Sequence, residues 1–417
     1  MDYIINNFDK FIKEHDPKKI LLVQPAFPIP NKIKHHKQYY PIGLLKIASY
    51  LETKNIKTEL VICGKQDHHQ KRIKEYNPDM IFITSLFTYW SKSVKKAVQY
   101  FKHQHPQAII VVGGIYASLL PEHTKKYTGT NYVYTGLIRE AEKCTPKFDL
   151  YPTDFQILHT TRGCIRRCGF CGTYKIEPEY TYKKSIKDEI KKKKLIFYDN
   201  NLLANPYIKN ILHELIQLKK EKKINYIECQ SGFDGRILDQ ELAILLKKAG
   251  FKEPKIAWDG KYNEHEKIKH QLNLLVNAGY KPNNIGVFMV YNYNISYPEM
   301  EKKRTFIYNY GSLIMDCRFR PLNQTYDEYN PRKKYQTQND YYIHPDWTDQ
   351  EVKQFRRNVR QSNICNLFNK KYYCKELINK SLPKHKIKQY NNYTYEQLIK
   401  EGLTVFNPAI THTIGGT

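Results

Sequence analysis

Apolar residues along the chain fall into short β-type runs, separated by stretches in which they recur every three or four positions. That alternation is expected of parallel strands joined by covering helices. Over residues 20–137 the runs are Ile20–Val23, Glu59–Ile62, Met80–Thr84, Ala108–Val112 and Tyr132–Tyr134, with helices expected at Ile42–Glu52, Gln70–Glu75 and Ser91–His103. In the last helix Val94, Val98 and Phe101 share one face while lysines take the other. The pattern predicts an α/β, Rossmann-like domain over residues 1–137. From Ile138 to Asp154 the periodicity lapses, and Pro146 and Pro152 bracket an expected linker over 138–154. A second series then supplies Phe155–His159, Leu195–Tyr198, Tyr226–Cys229, Lys255–Trp258, Gly286–Val290 and Ile314–Phe319. Six strands with helical crossovers predict a partial (β/α)6 barrel over 155–322, in too little chain for eight full units. Residues 323–417 turn polar and aromatic and read as an accessory C-terminal segment, mainly helical or irregular. One helix there should begin at Thr348, with Glu351 as its capping-box partner.

In open parallel sheets, ligands sit beyond the carboxyl ends of the strands. The loops at those ends are Gln24-Pro25-Ala26-Phe27, Ser85-Leu86-Phe87-Thr88 and Gly113-Gly114-Ile115-Tyr116-Ala117-Ser118. Gly113 and Gly114 are candidate ligand-loop residues, and a tight strand-to-helix turn with nothing bound explains them equally well.

Composition narrows the class. In 417 residues, 41% are hydrophobic, which excludes wholesale disorder. No apolar run approaches the roughly 20 residues that span a bilayer, and the opening Met1-Asp2-Tyr3 does not lead into a cleavable apolar stretch, so a cytoplasmic protein is expected. The net charge of +27 is consistent with a polyanionic partner, but it comes from 55 Lys and only 13 Arg. Runs such as Lys191 to Lys194 and Lys219 to Lys223 read as solvated helix faces, and A/T-rich coding bias yields the same mixture. Nine cysteines are too few for a disulfide scaffold. Cys63, Cys144, Cys229, Cys317, Cys365 and Cys374 are dispersed and read as structural, although Cys317, Cys365 and Cys374 also invite an auxiliary-cluster reading.

The other three cysteines carry the chemistry. Cys164, Cys168 and Cys171 form C-x3-C-x2-C within Thr161-Arg162-Gly163-Cys164-Ile165-Arg166-Arg167-Cys168-Gly169-Phe170-Cys171-Gly172. Three thiolates can hold three irons of a [4Fe-4S] cube and leave the fourth open to an outside ligand. Glycines at 163, 169 and 172 let the loop curl, and Arg162, Arg166 and Arg167 offset cluster charge. Structural zinc is the competing reading. It wants four protein ligands, and His159 is the one nearby candidate for the fourth.

With this loop directly after the first strand of a partial barrel, and an aromatic before its third cysteine, the sequence resembles the radical S-adenosylmethionine superfamily. Val111-Val112-Gly113-Gly114-Ile115-Tyr116-Ala117 followed by Pro121 is similar to the class with an N-terminal cobalamin (B12)-binding-like domain. The resemblance implies a [4Fe-4S] cluster whose open iron chelates S-adenosylmethionine, reductive cleavage to a 5′-deoxyadenosyl radical, and an electron donor of the flavodoxin or ferredoxin type. It implies Phe170 on the adenine side, and Asp199 and Asn200 near the methionine amino group, where a helix cap explains Asp199 equally. It also places Ser231 and Arg236 at the third strand end and Asp259 at the fourth. There Ala257-Trp258-Asp259-Gly260 departs from the Gly-Ile-Glu-Ser of many relatives.

Cobalamin, and with it methyl transfer, is open on this reading. The first-strand loop lacks the lower-face histidine of D-x-H-x-x-G, and Asp67-His68-His69-Gln70-Lys71-Arg72 follows the second strand with Arg where Gly belongs. Phe27, Leu86 and Tyr116 are apolar candidates to cover a corrin, against a domain kept for structure or substrate docking. On the last strand Asp316, Arg318 and Arg320 share a face, either to grip an anionic substrate or as an ion-pair strip. The alternative from another class is a noncatalytic iron-sulfur or zinc protein that binds nucleic acid, drawing on the charge and on Arg356, Arg357 and Arg360. An enzyme that modifies RNA or a nucleotide would combine both features.

Overall fold

A computed structural model of the protein describes residues 3–29, 39–64 and 75–368. All but the last residue of the helix expected at Gln70–Glu75 lies outside the described residues, as do the Asp67 to Arg72 segment and Cys374. The chain forms two compact units, Met1–Ile196 with Pro321–Glu328, and Phe197–Arg320 with Tyr329–Thr417.

The first unit begins with β1 (Ile4–Ile5), α1 (Phe8–His15), β2 (Lys19–Gln24), α2 (Ile42–Glu52), β3 (Lys57–Ile62) and β4 (Met80–Ser85). It continues with α3 (Ser91–Gln104), β5 (Ile109–Gly114), α4 (Ile115–Leu119), α5 (Pro121–Thr128) and β6 (Tyr132–Tyr134). The six strands form one parallel sheet in the order β1-β6-β5-β4-β2-β3. Alternate side chains of β2 explain why Ile20–Val23 reads as an unbroken apolar run. Ile20 and Leu22 pack with Phe8, Phe11, Leu44 and Leu51 on one face, while Leu21 and Val23 pack with Val94, Val98 and Phe101 on the other. A parallel strand covered on both faces has no polar side to show. The strand order reverses direction at β2, between β3 and β4, which places the crevice for a ligand at the β2 and β4 ends.

Further along the first unit come α6 (Arg139–Glu142), within the stretch expected as a linker, then β7 (Phe155–Leu158), β8 (Thr161–Arg162), α7 (Thr173–Ile176), β9 (Thr181–Tyr182) and β10 (Lys194–Phe197). β7 neighbours β10, and β8 pairs antiparallel with β9 through Thr161–Tyr182 and Arg162–Thr181.

The second unit alternates α8 (Ile208–Lys220), β11 (Tyr226–Cys229), α9 (Gln240–Ala249), β12 (Phe251–Lys252), β13 (Lys255–Ala257), α10 (His265–Asn277), β14 (Gly286–Tyr291), α11 (Tyr297–Tyr310) and β15 (Leu313–Arg318), and ends in α12 (Asp349–Phe368). β11 pairs with β12, and β13, β14 and β15 run side by side, all parallel. The class is mixed α/β with parallel sheets, as the sequence pattern predicts, and the sheets formed by the described residues are open. Asp239 caps α9 by accepting from the Leu242 N–H at 2.7 Å, and Gly250, at φ 102°, ends it. No helix of the described residues is long and apolar enough to cross a membrane.

Candidate active site

The cysteine loop leaves the β8–β9 hairpin at Gly163. This residue sits at φ 70°, and a Cβ there would stand 2.3 Å from the Glu179 backbone oxygen, so the turn requires glycine. Inside the loop the Cys171 N–H donates to the Cys168 carbonyl at 3.0 Å, and the Arg166 N–H donates to Cys164 Sγ at 3.3 Å. Cys171 Sγ lies 3.2 Å from Thr173 Oγ1. All three thiols and Phe170 are half-buried.

A single zinc ion needs its ligands to converge on one point. The described residues hold no group of three or more His, Cys, Asp or Glu side chains so gathered. A cubane asks for less, since each thiolate binds a different iron. By their chemistry, three thiols on one loop, with a backbone N–H directed at Cys164 Sγ, would suit that donor set.

The loop's base is a charged network. Arg162 donates Nε at 2.8 Å and Nη2 at 2.6 Å to Glu142 Oε2. It also reaches Glu177 Oε1 through Nη1 at 3.4 Å, and the Gly163 N–H donates to Glu177 Oε2 at 2.7 Å. Lys46 of α2 donates to Glu142 Oε2 at 2.9 Å. Although burial alone would raise it, the Glu142 carboxyl is held below its ordinary value by Arg162 and Lys46. These groups line a cavity of about 1000 Å³ with His159, Thr160, Thr161, Lys183 and Glu189. His159 is held well below the usual imidazole range, first by burial and then by Arg162, Lys46 and Lys183. Glu142, Glu177 and Lys46 carry no motif, and no local pattern in the sequence points to them.

At the end of β5, Gly114 has φ 96°, and a Cβ on it would stand 2.3 Å from the Ser85 oxygen. Ser85 Oγ donates to the Gly113 carbonyl at 2.7 Å and accepts from the Ala117 N–H at 3.1 Å. The glycine pair therefore has a structural reason in the close approach of two strand ends. Tyr116 is wholly buried, with its hydroxyl 2.6 Å from His123 Nδ1, so it does not stand where it would cover a corrin. The rings at that end of the sheet are Phe27 stacked on Trp90 at 5.2 Å, and Phe87 stacked on Tyr89 at 5.0 Å.

In the second unit the strand ends bring several expected residues together. Asp199 is fully buried, and its backbone oxygen accepts from Ser231 Oγ. Asn200 beside it is half-buried. Asp234 accepts from Asn201 Nδ2 at 3.0 Å and from Arg236 Nε at 2.7 Å, so the Arg236 guanidinium is already paired. Asp259 is raised by burial, with Lys303 and Arg236 pulling the other way. Lys303, with no exposed surface, donates to the carbonyls of Trp258 at 2.9 Å and Gly260 at 2.7 Å and fixes the strand end that carries Asp259. Asp234 lies between the expected Ser231 and Arg236, whereas Lys303, which α11 supplies, has no signal in the sequence.

The Asp316 and Arg318 face turns under the C-terminal segment. The Arg318 guanidinium lies 4.3 Å from the Tyr329 ring centroid and 5.0 Å from that of Tyr341. Arg356 and Arg360 offset the burial of Asp316, and Arg357 donates to Gln354 at 2.6 Å. Cys365 is buried on α12 whereas Cys317 is exposed.

A family model described as a B12 binding domain matches residues 32–145. The chain is also similar to the solved structure of TsrM from Kitasatospora setae, a radical S-adenosylmethionine methyltransferase with cobalamin and a [4Fe-4S] cluster bound. Identity is 14%, the match covers 73% of this chain and 77% of TsrM, and the TM-score is 0.56. OxsB, a cobalamin-dependent S-adenosylmethionine radical enzyme with aqua-cobalamin bound, matches at 15% identity and a TM-score of 0.49 over 72% of this chain and 53% of OxsB, so the chain spans about half of that protein. No curated protein matches. The likeness to TsrM is one of fold, and with the B12 binding domain it bears out the expected resemblance at that level.

Proposed function

We propose that the protein is a radical S-adenosylmethionine enzyme in which Cys164, Cys168 and Cys171 hold three irons of a [4Fe-4S] cube, and that it performs cobalamin-dependent methyl transfer. The observation that carries this reading is a three-thiol loop, with a backbone N–H directed at one sulfur, that leaves β8 just beyond the first strand of the second strand series. Its fold matches that of TsrM, and its first unit contains the B12 binding match. When bound, the cluster supplies an electron that cleaves S-adenosylmethionine to methionine and a 5′-deoxyadenosyl radical, and cobalamin carries the methyl group.

The chain's own residues hold, orient and exclude water. Gly163 turns the loop, and Arg166 and Arg167 lower the cost of its negative charge. Phe170 is assigned to the adenine ring. Asp199 and Asn200 are assigned as acceptors for an ammonium group, and Ser231, Arg236 and Asp259 as polar contacts at the neighbouring strand ends. Because Arg236 is paired with Asp234, it meets a ligand carboxylate as part of an ion pair. Gly113 and Gly114 bring backbone close at the cobalamin side, where Phe27, Phe87 and Trp90 offer apolar rings. A flavodoxin- or ferredoxin-type protein is the assigned electron donor, and the substrate is assigned no further than an anionic small molecule or nucleic acid. The nucleic-acid-binding alternative gains nothing from Arg356 and Arg357, which are engaged within the C-terminal segment.

Anaerobic reconstitution with iron and sulfide, followed by dithionite and S-adenosylmethionine, tests the reading. Release of 5′-deoxyadenosine by the native chain and none by the Cys164, Cys168, Cys171 to Ala variant is expected. A native chain that binds zinc in place of a cluster overturns it. Labelled methyl groups appearing in product would separate methyl transfer from other radical outcomes.

A further inference from the structure

The network at the base of the cysteine loop draws on chain distant in sequence. Lys46 lies on α2, Glu142 on α6, and Glu177 follows α7, while Arg162 and Gly163 precede the first cysteine. The four charged side chains are mostly buried, at 8% to 21% exposure. Mutual pairing at such burial gains little net stability, because desolvation offsets the attraction. It does fix geometry, since a guanidinium fork on carboxylates is directional. The same carboxylates explain why the cavity beside them is a poor anion pocket. Lys46 and Arg162 are already taken by Glu142 and Glu177, Lys183 by Glu189 at 2.6 Å, and Arg139 by Glu179 at 2.6 Å.

We propose that Glu142 and Glu177 are positioning residues for the cysteine loop. Glu142 clamps the Arg162 side chain, and Glu177 clamps the Gly163 N–H, so the chain enters Cys164 in a single direction. Lys46 ties this clamp to α2, within the segment that matches the B12 binding domain. The inference rests on the cluster reading of the loop for its consequence, but the clamp itself is testable without iron.

The test uses the full-length, reduced, cluster-free protein and follows iodoacetamide labelling of Cys164 by mass spectrometry, with Cys63, packed against the first unit's apolar core, as the indicator that this unit stays folded. Glu142→Gln and Glu177→Gln should each raise the Cys164 rate about fivefold, what the loss of one tethering interaction amounts to, while the Cys63 rate stays native. Arg162→Lys keeps the charge but lacks the fork and should resemble Glu142→Gln. The double variant Glu142→Gln/Arg162→Lys should label no faster than either single one, because both remove one interaction. After reconstitution, Glu142→Gln should shift the midpoint potential or the electron paramagnetic resonance line shape of the reduced cluster.

Native Cys164 labelling rates in both glutamine variants, with the Cys63 rate also native, overturn the proposal. If Glu142→Gln speeds Cys63 labelling, Arg162→Lys decides alone, on the same criterion. Failure of the native chain to take up iron overturns the cluster reading while leaving the labelling result to judge the clamp.

Discussion

At the residue scale, the groups with a stated role divide by whether a neighbour in sequence could announce them. Cys164, Cys168 and Cys171 are legible from spacing alone, and Gly163 from its place beside them. Glu142 is not, because it meets Lys46 across 96 residues and Arg162 across 20. Lys303 is similarly silent in sequence, yet its burial has a measurable consequence. Burial pushes its amine down from 10.5 to about 8, against Asp259, Glu299 and Glu264, which raise it. The unfolded chain keeps this proton up to about pH 10.5 and the folded protein only to about 8, so between them the unfolded state binds more protons and stability rises with pH. Urea unfolding between about pH 7 and 9.5 should show that rise in the native chain and lose this component of it in Lys303→Met. A difference between the two proteins that does not change with pH would show that Lys303 does not titrate in this window.

At the element scale, length decides what the sequence can show. β2, β4, β5, β14 and β15, each six residues long, announce themselves as apolar runs. β1, β8, β9 and β12 have two residues each and no periodicity to detect, although β8 and β9 form the hairpin from which the cysteine loop departs. Helix starts follow local chemistry and are correspondingly readable. The expected capping box is present in full: the Thr348 N–H donates to Glu351 Oε2 at 2.8 Å, and the Glu351 N–H donates to Thr348 Oγ1 at 3.2 Å. Thr348→Ala should therefore cost about 1 kcal/mol in urea unfolding, and Thr348→Ser should restore most of it. α12 also carries Val352, Phe355 and Val359, each wholly buried. Loss of the cap then frays its first turn without releasing the helix.

At the scale of the whole molecule, apolar clusters of the described residues cover both faces of the first unit's six-stranded sheet, and neither face's cluster includes a residue of the cysteine loop. The packing on that sheet therefore does not include what the thiols hold. The Cys164, Cys168, Cys171 to Ala variant should take up no iron yet bind hydroxocobalamin with native affinity, as measured by absorbance titration. A tenfold or greater loss would mean that the loop helps to shape the corrin site. The first unit also takes back Pro321–Glu328, where a Cβ on Gly172 would stand 3.4 Å from Leu322 and Ser91 Oγ donates to the Thr325 carbonyl at 3.0 Å. On the ribosome these last contacts are synthesised after β11 to β15, so the nascent first unit waits, incomplete, through translation of most of the second. A stop codon or nick just before Pro321 would remove the latch from a unit whose sheet ended nearly two hundred residues earlier.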